Sequence, residues 1–477
     1  MGPVEPDNVV DGFAAVGASV VSVSPSGVGQ YETAIGAATD YAFASPARAA
    51  GVLACVPKST TDTACIAQAV TAFGRRAFRR SLTQDEINRF LLLATTIGNK
   101  TGSTILVGMR HAVWAILQSP SFLYRVELGV PSAADGGRLK YTSFEMASRL
   151  ASALWNSVPD DALLDTAASD ALQTADGVNQ QAQRMLSMPA SKQAIVAFAD
   201  DLYGMQHLAE ATKDPAIFPS WTSTLSAAMQ QELELRIVDV VLNQRGDFLS
   251  LYDSRATFVN AELARYYGLP PVSGTDFQPA QFPADSPRVG LLGAGAILAG
   301  YALPQRTSPT QRGKFIAEKL LCLSIPPPPP GVPPLPAMAD ANSTLRQRLE
   351  AHRSAPQCAG CHAVMDPLGF GLENFDGAGL YRTTDNGQPI DASGSVGGVA
   401  FNGLAQMASA LRQQPVAGPC VVSKIYENAL GRTLGSADAA VLDALSGRFA
   451  AGDHRVDQLL VDLVSSEGFR FVQPNRL

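Results

Sequence analysis

The sequence predicts a mainly α-helical protein made of several consecutive domains. Apolar residues recur at three- and four-residue intervals along most of the chain. Helix-start signals stand in front of several of these stretches. Alternating apolar and polar runs, the mark of a half-buried strand, are scarce. A length of 477 residues corresponds to about three domains. With 46% hydrophobic residues the chain can bury several cores, which excludes a disordered protein. A formal charge of −7 argues against a nucleic-acid binder that neutralises phosphates. The 17% of charged residues is too low for long solvated coiled coils.

Residues 1–60 read as an irregular N-terminal segment, rich in Gly, Ser and Ala, with irregular structure or short strands up to about residue 45. The start has no basic stretch followed by an apolar run, so no signal peptide is visible. A helical domain follows over 61–130. Ile66, Val70, Phe73 and Ala77 fall on one helix face, and Thr83 with Glu86 has the spacing of a capping box. A second helical domain spans 131–268, with a helix entered through Thr142 or Ser143, another begun at Pro159–Leu163, periodic stretches over 178–210 and 222–245, and a short helix over 253–268. Residues 269–336 read as a helical segment plus a polyproline linker. Within it Val289–Leu303 is short of a membrane span and reads as a buried helix. Ile325–Pro336 (IPPPPPGVPPLP) forbids helix and central strand and reads as a semi-rigid spacer. A weak internal echo links the stretch from Phe73-Gly-Arg-Arg to Arg125 with the stretch from Leu430-Gly-Arg-Thr to Arg470.

Residues 337–477 contain the motif that carries chemistry, Cys358-Ala-Gly-Cys361-His362. This C-x-x-C-H spacing reads as attachment of one covalent haem c. Two thiols three residues apart can each form a thioether to one haem vinyl group, and His362 then supplies the proximal imidazole to iron. Residues 337–477 therefore read as a cytochrome c-like haem module. Three other readings compete, one of them plain coincidence of the spacing. A zinc site would draw on His352, Cys358, Cys361 and His362, although adjacent Cys361 and His362 cannot easily serve one tetrahedral ion. A thiol redox pair lacks the surrounding βαβ pattern. Candidate distal iron ligands are His352 and Met407, with Met365 and Met338 as outsiders. Phe370, Phe375 and Tyr381 are candidate walls for a haem pocket, and Arg353 or Arg382 candidate partners for its propionates. The other four cysteines form two candidate disulfides, Cys55 with Cys65 and Cys322 with Cys420. Such bonds persist outside the cytoplasm, the compartment of haem c attachment in bacteria, so the expected location is periplasmic or extracellular.

Four landmarks carry a family resemblance. They are Phe73–Arg80 (FGRRAFRR), Phe144–Asp161 (FEMASRLASALWNSVPDD), Thr307–Gly313 (TSPTQRG) and the motif run Cys358–Asp376. In this order they resemble the large bacterial proteins, found mainly in planctomycetes and myxobacteria, built from consecutive DUF1595, DUF1592, DUF1588 and DUF1585 domains. The resemblance aligns these with 61–130, 131–268, 269–336 and 337–477. It implies an exported protein with a cytochrome c-like C-terminal module, with Cys358, Cys361 and His362 as the haem residues, and no established reaction.

The leading expectation is an exported haem c protein in electron transfer, an oxidoreductase acting with a redox partner protein or on a small-molecule substrate. Arg306, Thr307, Ser308 and Arg312 are candidates to line an interdomain cleft. The alternatives are a pure electron carrier or docking protein, and a helical scaffold with a metal or thiol site at the motif. No catalytic residue is assigned, and neither nucleic acid nor a transmembrane segment is expected.

Overall fold

A computed structural model of the chain describes residues 8–18, 24–326, 343–352 and 356–472, with the side chains of 351–358 outside that description. It is mainly helical, and its few short strands form four two-stranded antiparallel sheets among the described residues. Two compact units emerge, one from 1–194, 429–433 and 460–477, the other from 195–428 and 434–459. The C-terminal stretches are divided between these two units. The proline run is not where the units divide, and most of it lies outside the described residues.

The first unit begins with a difference from expectation. Helix α1, Pro25–Ala42, occupies a stretch read as irregular. Ser24 caps it, accepting from Gly27 N at 3.0 Å, and Pro25 takes the first turn where its missing N–H costs nothing. Its buried face is Gly27, Ala34, Ile35 and Thr39. Small residues on that face explain why no hydrophobic period stands out in the sequence. Helices α2 (Thr63–Phe78), α3 (Gln84–Gly98) and α4 (Ile105–Leu117) then pack into one core around Ile66, Val70, Phe90, Met109, Val113 and Ile116. The Thr83/Glu86 capping box is formed. The short helix α5, Pro120–Leu123, closes this group. The Cys55–Cys65 disulfide ties the entry to α2.

Helix α6, Ser143–Trp155, starts with a second capping box, Thr142 with Glu145. Its Arg149 is buried between the rings of Tyr141 and Phe469, 4.3 and 4.5 Å from their centres. The guanidinium donates to the Phe469 carbonyl at 3.1 Å and pairs with Glu127.

The second unit contains α7 (Ser191–Tyr203) from residue 195 onward and α8 (Ser223–Val238), which runs into a wider π turn, Asp239–Asn243. The stretch read as a helix over 253–268 divides in two. Ala256–Val259 is a strand paired with Gln278–Gln281, and only Ala261–Tyr267 (α9) is helical, capped by Asn260. Thr257 and Val259 are β-branched and fully buried there, which suits the pleat better than a helix. The apolar stretch after Val289 also divides, into a short 3-10 turn and α10, Gly295–Gly300. The two pieces divide at Ala294, which is extended, and the turn starts from Gly290, which holds φ of +62° and has no room for a side chain beside the Tyr252 carbonyl. The second disulfide, Cys322–Cys420, is formed. Among the described residues no helix is long and apolar enough to cross a membrane.

One carboxyl group in this unit has its pKa raised into the neutral range. Asp200 on α7 is pushed up to about 7, first by burial and then by the charge of Glu234 on α8. Its unfolded pKa is about 3.9, so the folded chain binds the extra proton and stability falls as pH rises through this window. An Asp200→Asn variant removes that dependence. In thermal unfolding scans its advantage over the wild type should grow between about pH 4 and pH 7 and stay level above. An advantage independent of pH would contradict this.

Candidate functional site

The site is built on two crossing helices. Helix α11, Pro309–Phe315, opens with Ser308 as cap and Pro309 in the first turn. Helix α13, Pro356–Phe370, carries the motif and follows α12, Leu345–His352. Two glycines set the crossing. A Cβ on Gly313 would collide with the Met365 carbonyl, and one on Gly369 with the Pro309 carbonyl. The backbones therefore touch, as only glycine permits. The TSPTQRG landmark is the seat of the motif helix.

Arg312 locks that seat. It is fully buried and donates to four carbonyls: Leu372 at 3.0 Å, Phe375 at 2.8 Å, Leu298 at 2.7 Å and Asp376 at 2.7 Å. The buried Glu373 carboxylate stands 3.7 Å away. Burial pulls the guanidinium down to about 10, opposed by Glu373, so it stays charged at neutral pH. Burial also pushes the Glu373 carboxyl up, against the pull of Arg312 and Arg382. Thr307 donates to the Glu373 carboxylate at 2.8 Å, and Arg382 donates to the same oxygen at 3.0 Å.

The motif occupies the N-terminal part of α13. Positions i, i+3 and i+4 share a helix face, so Cys358, Cys361 and His362 lie on one stripe, continued by Met365, Asp366 and Gly369. The lower part of the stripe is buried against α11, while Cys361 and His362 are only partly covered. Cys361 is a free thiol. The His362 Nδ1 lies 3.0 and 3.1 Å from the two Asp366 carboxylate oxygens. Asp366 is completely buried, and Thr310 on α11 donates to its Oδ1 at 3.0 Å. A carboxylate only accepts, so Nδ1 carries the hydrogen. Within the motif, a Cβ on Gly360 would meet nothing within 4 Å among the described residues.

The other predicted residues are distributed as follows. The side chains of Cys358 and His352, and the residues Arg353 and Met338, lie outside the described residues, so the zinc reading, which needs both His352 and Cys358, falls there too. Met407 is fully buried on α14, Leu404–Arg412, with its sulfur 2.7 Å from where a Cβ of Gly371 would be. Gly371 is nine residues beyond His362, a rise of about 13 Å. The structure does not bring Met407 beside the imidazole; it fills the core at the opposite end of α13. Arg382 is engaged with Glu373 and Asp385, both at 3.0 Å. Phe370 packs with Leu345 and Leu349 of α12, Phe375 is buried under Arg288, and Tyr381 is half exposed. Thr307, Ser308 and Arg312 are not lining residues of a cleft; they are a buried bond to Glu373, a helix cap and a buried clamp. Arg306 is partly covered, and burial lowers its pKa.

Two contributors escaped sequence reasoning, Asp366 and Thr310. The signal for the first was present, because four residues separate His362 from Asp366, one helical turn. Thr310 had no signal, since its partner lies 56 residues away.

The fold and this site define a class: a helical protein presenting a C-x-x-C-H stripe on a helix seated by buried polar bonds. The chain carries four family matches in order, to DUF1595 over 65–127, DUF1592 over 141–269, DUF1588 over 288–385 and DUF1585 over 397–469, each described as a protein of unknown function. The motif falls inside the DUF1588 match, together with its seat on α11, and not in the DUF1585 segment to which the sequence reading gave it. No curated protein and no solved structure matches the chain.

Replacing Arg312 with Met leaves four carbonyls without their donor and removes the cation 3.7 Å from the buried Glu373 carboxylate. Truncation of a buried charged partner costs about 3–5 kcal/mol, and Arg312→Met should lower the urea midpoint accordingly. A variant as stable as the wild type would contradict the clamp.

Proposed function

We propose that this chain is an exported c-type haem protein acting in electron transfer, as an oxidoreductase with a redox partner or a small-molecule substrate. The observation that carries the reading is the His362 stripe. The imidazole is oriented by a buried carboxylate on Nδ1, the arrangement usual for a metal-ligating histidine. Cys361 is a free, partly exposed thiol one residue away, and no atom of the described residues lies within 4 Å of a Cβ placed on Gly360. These donors fit haem c. Cys358 and Cys361 would hold the vinyl groups, and iron would take Nε2, the ring nitrogen that Asp366 does not hold. Haem supplies a one-electron redox centre when bound; the chain positions the ligand and covers its lower side. Two further observations support the reading. The DUF1588 match has the short name PSCyt3, which hints at a cytochrome-like module. The two disulfides are consistent with an oxidising compartment.

The test is covalent haem. Exported from a bacterial host that attaches haem c, the protein should keep its haem through acid-acetone extraction and give a pyridine haemochrome spectrum. The double variant Cys358→Ser/Cys361→Ser should lose it. A wild-type protein without covalent haem, or with zinc in its place, would overturn the reading.

A further inference from the structure

The pair His362–Asp366 carries more than orientation. Asp366 is completely buried and accepts from His362 Nδ1 at 3.0 Å on one side, while Thr310 donates to it at 3.0 Å on the other. Both partners are fixed from below. Asp366 is one turn along α13 from His362, and Thr310 is on α11, whose backbone touches α13 at Gly313 and Gly369. A carboxylate is a far stronger acceptor than a backbone carbonyl, and burial of the acceptor, as at Asp366, strengthens its hydrogen bond.

We infer that Asp366 is a positioning residue that tunes the redox centre: it draws the Nδ1 proton toward itself, loads negative charge onto the imidazole and makes His362 a strongly donating ligand. Such a ligand stabilises ferric over ferrous iron, so the site is built as a low-potential electron donor. Thr310 moderates this effect. Its hydroxyl takes up part of the negative charge of Asp366, so the two residues act on the imidazole with opposite signs. The redox part of this inference rests on the haem reading; the hydrogen bond itself does not.

The opposite signs give a test that simple packing damage cannot imitate. In the haem-loaded protein, Asp366→Asn keeps the shape and removes the charge. The ratio of reduced to oxidised haem at a fixed poise should rise about tenfold, the scale of an outer-shell change at a metal site, or about 59 mV upward in midpoint for a one-electron couple. Thr310→Val should shift the midpoint downward. In the haem-free full-length chain, proton–nitrogen NMR should find a far-downfield, exchange-protected proton on His362 Nδ1 that moves upfield in Asp366→Asn. Midpoints that stay put, or move in the same direction in both variants, overturn the tuning role while covalent haem in the wild type keeps the function standing. Absence of the downfield proton overturns the pair without reference to haem. Absence of covalent haem removes the proposed function, and this tuning role with it.

Discussion

The fold around the motif depends on one buried cation. Arg312 has no solvent contact, yet it gathers carbonyls from the end of α10 and from the loop that follows α13. A buried guanidinium is costly unless all its surroundings are arranged for it. That cost restricts where Leu298, Leu372, Phe375 and Asp376 can be. Those positions fix the end of the motif helix and, through the Gly313 and Gly369 contacts, its angle to α11. The His362–Asp366–Thr310 chain is then possible, because its members come from the two helices that the clamp holds together.

What could be read from the sequence was what is decided locally. Capping boxes at Thr83 and Thr142 need three residues of sequence and nothing else. The two disulfides followed from setting the motif cysteines aside and asking which of the remaining four could serve as staples. The misread elements are those where distant neighbours decide. Ala256–Val259 is a strand because Gln278–Gln281 lies beside it, and its local pattern is short enough to pass as helix. Helix α1 buries small residues, which leave almost no hydrophobic signature. At the site, Cys361 and His362 could be picked out of the sequence as candidates, while the residues that surround them in the fold could not. The TSPTQRG stretch looked like a cleft lining rich in polar groups, and its Thr307 and Thr310 turn out to be consumed by bonds to carboxylates 66 and 56 positions away.

The internal echo also has a structural counterpart. The first module runs α2, α3, α4 and the four-residue helix α5, opened by Ser119. The second runs Ala417–Leu430, Ala439–Ala451, Val456–Ser465 and the four-residue helix Glu467–Arg470, opened by Ser466. Three helices followed by a serine-started single turn recur in the same order near both ends of the chain. The first stretch coincides closely with the DUF1595 match over 65–127, and the second takes up the later part of the DUF1585 match over 397–469. The DUF1588 segment with the motif helix has no such counterpart in this echo, which sets it apart from the helical modules around it.

The long disulfide has a consequence for the order in which the chain matures. Cys322 and Cys420 are 98 residues apart, and both motif cysteines lie between them in sequence. Six thiols allow 15 pairings, whereas four allow three. Every incorrect pairing that engages Cys358 or Cys361 blocks the thiols a vinyl group needs. Capture of those two thiols by a prosthetic group would therefore act as a sorting step, reducing the oxidative choice to the one between a short loop and a long one. The Cys55–Cys65 loop, closed over ten residues, has the smaller entropy to overcome, and once it forms, Cys322 and Cys420 have only each other.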